Sequence, residues 1–206
     1  MKRTFLLVLG VGLLTAGLSV FLQTKGLNVL AFSSAESSTS SVLAAGGVGN
    51  SFEAPGTPAR LRIPAIGVDA KVQSVGLAWQ GTGDMGIPTN LTDVGWYNGG
   101  ALPGAPGSAV IDGHLDGKEV RKAVFYNLDK LKPGDLVEVE DKAGKVWQFR
   151  VVETKIYNYD APTADIFLGD TSKSRLNLIT CTGSWDKTQK LYDKRVVVFT
   201  ELVSGE

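Results

Sequence analysis

The sequence predicts an all-β domain, a small barrel or sandwich of eight short strands with one or two short helices, behind an apolar amino-terminal segment. From Pro58 onward apolar and polar residues alternate in short runs, as in strands with one buried face. Clusters of glycine and proline separate these runs, which is typical of turns. The sequence has no long amphipathic helix of the βαβ type and no internal repeat. One β-rich core is therefore expected.

The predicted strands are joined by loops of uneven length, and they are residues 60–63, 70–75, 94–97, 108–113, 135–140, 146–157, 175–180 and 194–202. Residues 122–131 have the apolar spacing of one or two helical turns, and residues 161–168 are expected to contain a short helix. The segment Asp141-Lys-Ala-Gly144 reads as a hairpin connection between two strands.

The amino terminus predicts a membrane anchor. Lys2 and Arg3 precede an uncharged apolar run, Phe5–Leu22, which is close to the ~20 residues that span a bilayer. The positive flank predicts a single-pass protein of the cell membrane with its domain outside the cell. A cleavable signal peptide is the alternative, since Val29-Leu30-Ala31 resembles a cleavage site. We assign residues 1–24 to the anchor or signal peptide, the Ser/Gly-rich residues 25–57 to a flexible linker, and residues 58–206 to the folded domain.

Composition excludes several classes of function. Residues 58–206 contain 18 basic and 19 acidic groups and no basic run, which argues against nucleic-acid binding. One cysteine in the whole chain excludes a disulfide scaffold and a zinc–thiolate site. No acidic cluster suited to calcium is identifiable, so we expect neither a metal nor a cofactor.

The scarcest residues carry the candidate chemistry. The chain has one histidine, His114, and one cysteine, Cys181, and each stands at the end of a predicted strand. An imidazole can move protons around a sulfur nucleophile, so this pair suffices for thiol catalysis. The alternatives are a buried structural thiol and a loop histidine without a task. Asp112 and Asp116 flank the histidine and are candidates to orient or charge it.

Arg195 begins the last predicted strand, fourteen residues after Cys181. Neighbouring strand residues point to opposite faces, and we expect Arg195 to face inward and Lys194 to face outward. A guanidinium at that place can bind a developing oxyanion or a substrate carbonyl.

These residues together resemble the sortases. The sortase signature is Thr-Leu-x-Thr-Cys at the end of a strand, and here Leu178-Ile-Thr-Cys181 matches while Asn177 replaces the first threonine. The resemblance covers nearly all of residues 58–202, and it is closest to the class F group. The further segments that carry it are Arg62-Ile-Pro-Ala-Ile-Gly-Val-Asp69, Val94-Gly-Trp-Tyr97, Pro106-Gly-Ser-Ala-Val-Ile-Asp-Gly-His114 and Phe125-Tyr-Asn-Leu128.

The resemblance implies an eight-stranded sortase-type β-barrel and a membrane-anchored cysteine transpeptidase. Cys181 is then expected to cleave a Leu-Pro-x-Thr-Gly-like sorting signal between Thr and Gly through a thioacyl-enzyme. His114 would protonate the departing amine and deprotonate the incoming one, and Arg195 would bind the carbonyl or oxyanion. The partners would be exported proteins with a carboxy-terminal sorting signal, and an amine of a cell-wall precursor or of a pilin lysine.

The same resemblance places a substrate groove between the His-bearing and Cys-bearing strands, beside the loop of residues 158–173. The candidate peptide-contacting residues are Thr180, Ile166, Phe167 and Trp185. Two other functions stay open on the sequence: an extracellular cysteine peptidase that only hydrolyses, and a non-enzymatic, membrane-tethered binding barrel. The sequence around Cys181 lacks the features of papain-like enzymes.

Overall fold

A computed structural model describes residues 54–79, 81 and 83–205 of the chain. Within them eight strands form a closed barrel. The strands are β1 Pro58–Ile63, β2 Val68–Val75, β3 Val94–Tyr97, β4 Gly107–Asp112, β5 Leu136–Asp141, β6 Val146–Asn158, β7 Ser174–Asp186 and β8 Leu191–Gly205. Helical structure in this part of the chain is limited to a four-residue helix, α1 Ala164–Phe167, and the short 3-10 turns Pro64–Ile66 and Leu128–Lys130.

The barrel order is β1-β2-β3-β4-β7-β8-β6-β5, and pairing of β5 with β1 closes it. Two neighbouring pairs, β2 with β3 and β4 with β7, run parallel, and the remaining pairs are antiparallel. The parallel β4–β7 pair joins segments that are far apart in the sequence. The chain continues from β4 to His114, and β7 contains Cys181.

Alternating burial along the strands gives the barrel its core. In β5 the side chains of Val137 and Val139 are fully buried, while that of Glu138 between them is partly exposed. Inward-facing residues of all eight strands meet in one interior cluster, which includes Trp147 and Phe149 of β6. The strands of the sequence prediction are therefore present because period two matches a sheet with one face in the core.

A second, smaller apolar cluster covers the outer face of the sheet made by β4, β7 and β8. Val110, Ile166 and Val197 are its buried members, and Phe167 and Ile179 pack against them. Ile166 and Phe167 belong to α1, so the segment between β6 and β7 lies over this face. We call these residues the outer cluster.

The strands that carry the candidate site are longer than the sequence predicts. We expected a strand to end at Thr180, but β7 continues to Asp186, and Cys181 lies within it. The reason is that β7 keeps pairing with β8 after its pairing with β4 stops at Ile179. Beyond the barrel the two strands form a ribbon, with a register shift between Thr182 and Trp185.

The helical expectations are met at one of two places. The predicted helix within residues 161–168 is α1, but residues 122–131 contain only the 3-10 turn Leu128–Lys130. The predicted membrane anchor at residues 1–24 and most of the predicted linker lie outside the described residues. Within the described part of the chain, no helix has the length and apolar character to span a membrane.

Candidate active site

Cys181 and Arg195 are partners across the antiparallel β7–β8 pair. Directly opposite residues of an antiparallel pair point to the same face with Cβ atoms about 5 Å apart. Two residues earlier on β7 and two later on β8, Ile179 and Val197 form the equivalent pair and belong to the outer cluster. By alternation the thiol and the guanidinium lie on the outer face of the barrel wall, beside that cluster. The prediction that Arg195 faces inward is therefore wrong: its side chain lies on the outer face of the barrel, because it has the same strand parity as Val197 of the outer cluster and not that of Val196 and Val198 of the core.

The Arg195 side chain is half-buried and fixed by backbone. Its Nη1 donates hydrogen bonds of 2.9 Å to the carbonyls of Tyr192 and Lys194. The neighbouring Lys194 is exposed, as expected from strand alternation. A guanidinium has five N–H donors, so donors remain for a substrate carbonyl or an oxyanion.

The thiol of Cys181 is half-buried, and burial raises its pKa above the ordinary cysteine value. The positive charge of Arg195 opposes that rise in pKa, while the carboxyl groups of Asp112 and Asp116 add to it. The thiol form is therefore dominant at neutral pH, and the arginine is the group in this site that favours the reactive thiolate.

Three contacts hold the His114 segment alongside β7. Asp112, the last residue of β4, is paired with Ile179. The Gly113 amide donates to the Ile179 carbonyl at 3.2 Å, and the Thr180 hydroxyl donates to the Gly113 carbonyl at 2.6 Å. His114 and Cys181 each come two residues after the Asp112–Ile179 pair, on neighbouring segments of the chain.

The imidazole of His114 is half-buried, with Nε2 at 3.0 Å from the Pro88 carbonyl oxygen. A carbonyl only accepts hydrogen bonds, so this contact requires a proton on Nε2 and leaves Nδ1 as the acceptor of a neutral ring. We expected Asp112 or Asp116 to orient the ring; the contact that the structure shows is to the loop before β3.

Asp112 has a different environment from the one expected. Its Oδ1 is buried without a hydrogen-bond partner among the described residues. Desolvation raises the pKa of this carboxyl to about 8. It lies against Gly95 of β3, where an added Cβ would be 2.6 Å from Oδ1. A glycine at position 95 therefore makes room for a carboxyl that is protonated at neutral pH.

Tyr192 was not among the site residues predicted from the sequence. Its hydroxyl donates a 2.5 Å hydrogen bond to Oδ2 of Asp116, and its ring packs against Trp185. The available signal was its position, three residues before Arg195 in a strand that we predicted to begin only at Lys194.

The four residues predicted to contact a peptide have different surroundings. Trp185 is 50% exposed on the ribbon, and Phe167 is half-buried with its ring edge-on to Tyr97 at 5.6 Å. Ile166 is 1% exposed within the outer cluster, and Thr180 is 4% exposed with its hydroxyl bound to Gly113. Their contact with a peptide stays a prediction, and Trp185 and Phe167 are the two that have surface available for it.

Asn177, which replaces the first threonine of the signature, is buried behind α1. Its side-chain amide donates a 2.7 Å hydrogen bond to the Ile166 carbonyl. The substitution thus fixes the segment that covers the outer face. Among the described residues no group of three His, Cys, Asp or Glu side chains is placed to hold a metal ion.

A closed barrel whose lone thiol faces an arginine agrees with an enzyme that uses a cysteine nucleophile. The family model "Sortase domain" matches residues 61–203, so the chain belongs to the sortase family. Family membership defines it as a cysteine transpeptidase of the sortase type.

Solved structures agree on the fold. Sortase C-1 from Actinomyces oris is 23% identical, with a TM-score of 0.54 over 70% of this chain and 73% of that one. Sortase A from Listeria monocytogenes is 22% identical, with a TM-score of 0.55 over 73% and 89% of the chains. The Sortase D5 transpeptidase from Clostridium perfringens is 21% identical, with a TM-score of 0.53 over 72% and 79%. A comparison with curated proteins gives no match.

Proposed function

We propose that this chain cleaves a Leu-Pro-x-Thr-Gly-like sorting signal between Thr and Gly and transfers the acyl group to an amine. The observation that carries the proposal is the pairing of Cys181 with Arg195 across β7 and β8, beside the segment that bears His114. Membership of the sortase family supports the same chemistry.

In the proposed reaction the Cys181 sulfur attacks the threonine carbonyl carbon, and the carbonyl oxygen becomes an oxyanion. The free donors of Arg195 bind that oxygen, and its positive charge favours the thiolate before attack. His114 takes the proton of the thiol as the sulfur attacks. The oxyanion then collapses, the C–N bond to glycine breaks, and His114 passes that proton to the leaving amine. A thioester to Cys181 remains.

In the second half of the reaction an incoming amine attacks the thioester carbonyl. His114 removes a proton from that amine, and Cys181 leaves as the thiolate. The thiolate then takes the proton back from His114, so the enzyme returns to its starting state. The amine is a cell-wall precursor or a pilin lysine in this proposal. Water in place of the amine gives hydrolysis, which is the activity of the alternative, a cysteine peptidase.

We also propose that residues 1–24 anchor the protein in the cell membrane, with the barrel on the outer side, and that the subtype is class F. The supporting observations are the uncharged run of residues 5–22 behind Lys2 and Arg3, and the sequence segments quoted above. Membrane fractionation of cells expressing the full chain, followed by protease treatment of intact cells, tests the location.

The activity test incubates the full-length protein with a library of Leu-Pro-x-Thr-Gly peptides and a glycine-based amine, and identifies products by mass spectrometry. We expect an amide adduct at the threonine and a thioester on Cys181. Cys181→Ala is expected to give neither product. Release of free acid alone, with amine in excess, would support the hydrolase, and an unreactive wild-type thiol would support the binding barrel.

A further inference from the structure

Tyr192 occupies the ribbon where β7 and β8 extend beyond the barrel. It lies opposite Trp185 in the strand register, and the two rings meet at 5.2 Å with an interplanar angle of 65°. This edge-on contact fixes the plane of the phenol ring. The side chain is half-buried and precedes Arg195 by three residues.

Two polar groups of Tyr192 are used, and each leads to a different part of the site. The hydroxyl donates to Oδ2 of Asp116 at 2.5 Å, and Asp116 follows His114 by two residues. The backbone carbonyl accepts from Nη1 of Arg195 at 2.9 Å. One residue therefore connects the histidine segment to the arginine side chain, although 76 positions separate Tyr192 from Asp116 in the sequence.

The charges around this connection also reach the nucleophile. Asp116 is one of the carboxyl groups that raise the pKa of Cys181. The hydrogen bond to Asp116, together with burial, raises the pKa of Tyr192 to about 12, so the phenol keeps the proton that it donates. The bond thus determines where the negative charge of Asp116 lies relative to the thiol.

We propose that Tyr192 and Asp116 are positioning residues that hold the Cys181–Arg195 strand pair against the His114 segment. This assignment rests on the proposed transpeptidase function. Its mechanical part is independent of any substrate. The contacts of Asp112 and Gly113 with β7 remain without the phenol–carboxylate bond, but the residues after His114 lose this link to the β7–β8 ribbon. Neither residue touches the reacting atoms in this proposal; both act through His114 and Arg195.

The test compares four variants by amine-transfer kinetics and by hydrogen–deuterium exchange. Tyr192→Phe removes only the hydroxyl and keeps the ring and the carbonyl that binds Arg195. Asp116→Ala removes the acceptor, and Asp116→Asn retains an acceptor oxygen without the charge. We expect kcat to fall about tenfold in Tyr192→Phe and in Asp116→Ala, the size for one hydrogen bond to a charged group. Asp116→Asn is expected to recover most of that loss, and the double variant Tyr192→Phe/Asp116→Ala to lose no more than either single one.

Exchange of two amides reports the connection without substrate. The Ala123 amide donates to the Leu115 carbonyl, and the Phe125 amide donates to the His114 carbonyl. Both amides are expected to exchange faster in Tyr192→Phe and Asp116→Ala. Tyr157→Phe is the matched control, since it removes another tyrosine–aspartate bond of 2.5 Å, to Asp165, and must leave these amides unchanged.

The outcomes separate the two proposals. Wild-type turnover and unchanged exchange in Tyr192→Phe would overturn the positioning assignment, as would losses that multiply in the double variant. Absence of any adduct with the wild-type protein, accompanied by the expected exchange changes, would overturn the transpeptidase assignment and leave the connection itself established.

Discussion

The hydroxyl of Thr180 donates a 2.6 Å hydrogen bond to the carbonyl of Gly113. This buried contact joins the residue before the cysteine to the residue before the histidine, and these two residues are 67 positions apart. The threonine of the sortase signature therefore acts, in this structure, on the relative placement of thiol and imidazole.

Thr180→Val tests that contact with little change of shape. The variant leaves the Gly113 carbonyl without its buried donor, which costs about 1–3 kcal/mol of unfolding free energy. We expect amine transfer to fall as well, because the histidine segment loses a link to β7. Thermal unfolding and steady-state kinetics measure the two effects. Thr180→Ser is the control; it keeps the hydroxyl and is expected to retain most of the activity, and equal activity of all three proteins would contradict the role.

Arg195→Ala is expected to lower kcat about 10²–10³-fold, the usual cost of losing one oxyanion donor. Lysine at this position keeps the positive charge but lacks the planar set of guanidinium N–H donors. The kcat of Arg195→Lys is therefore expected to lie between those of the wild type and Arg195→Ala. Lys194→Ala is the matched control, since Lys194 is the neighbouring residue of β8 and its side chain is exposed to solvent. A kcat for Arg195→Ala within twofold of the control would remove the arginine from the mechanism.

The reactivity of Cys181 is expected to depend on pH in a direction set by burial. Because the pKa of the thiol is raised, alkylation by iodoacetamide is slow at neutral pH and accelerates as the pH rises toward that pKa. Arg195→Gln removes a charge that lowers this pKa, so its alkylation profile shifts to higher pH. Mass spectrometry measures alkylation of the single thiol at each pH. A shift of the Arg195→Gln profile to lower pH would show that the arginine does not stabilise the thiolate.

Asp112→Asn is expected to stabilise the protein at alkaline pH. The pKa of Asp112 is raised to about 8 in the folded protein, whereas an unfolded aspartate titrates near 3.9. Between these two values the unfolded chain releases a proton that the folded chain keeps, so the free energy of unfolding falls as the pH rises. The asparagine cannot ionise and escapes that loss.

Thermal unfolding of both proteins between pH 4 and pH 9 measures the effect. We expect the stability of Asp112→Asn relative to the wild type to rise by about 1.4 kcal/mol for each pH unit between the two pKa values, and the gain to be smallest near pH 4. A gain that is larger at pH 4 than at pH 8 would mean that Asp112 is ionised in the folded protein at neutral pH.

The sequence predicted the strands well because their signal is local. Alternation in residues 136–140 and the glycine-bounded run before His114 need no partner to be recognised. Cys181 and Arg195 were also predicted as site residues, since one follows an apolar run and the other begins one.

The remainder of the site depends on contacts between distant parts of the chain. Nothing local to Asp112 says that Gly95 leaves space for a buried carboxyl, and nothing local to Tyr192 indicates Asp116 as its partner. The predicted strand ended at Thr180 because the alternation of apolar residues stops there, whereas β7 continues to Asp186 by pairing with β8. Pro88 as the acceptor for His114 likewise follows only from the loop between β2 and β3.

The parallel alignment of β4 with β7 has a consequence for the time at which the enzyme becomes competent. It pairs residues 107–112 with residues 174–179, so a large loop must close before the histidine and the cysteine share a surface. Formation of such distant contacts is slow relative to local structure. A newly made chain therefore carries a thiol without its neighbours until the barrel is complete, and slower alkylation of that thiol reports finished folding.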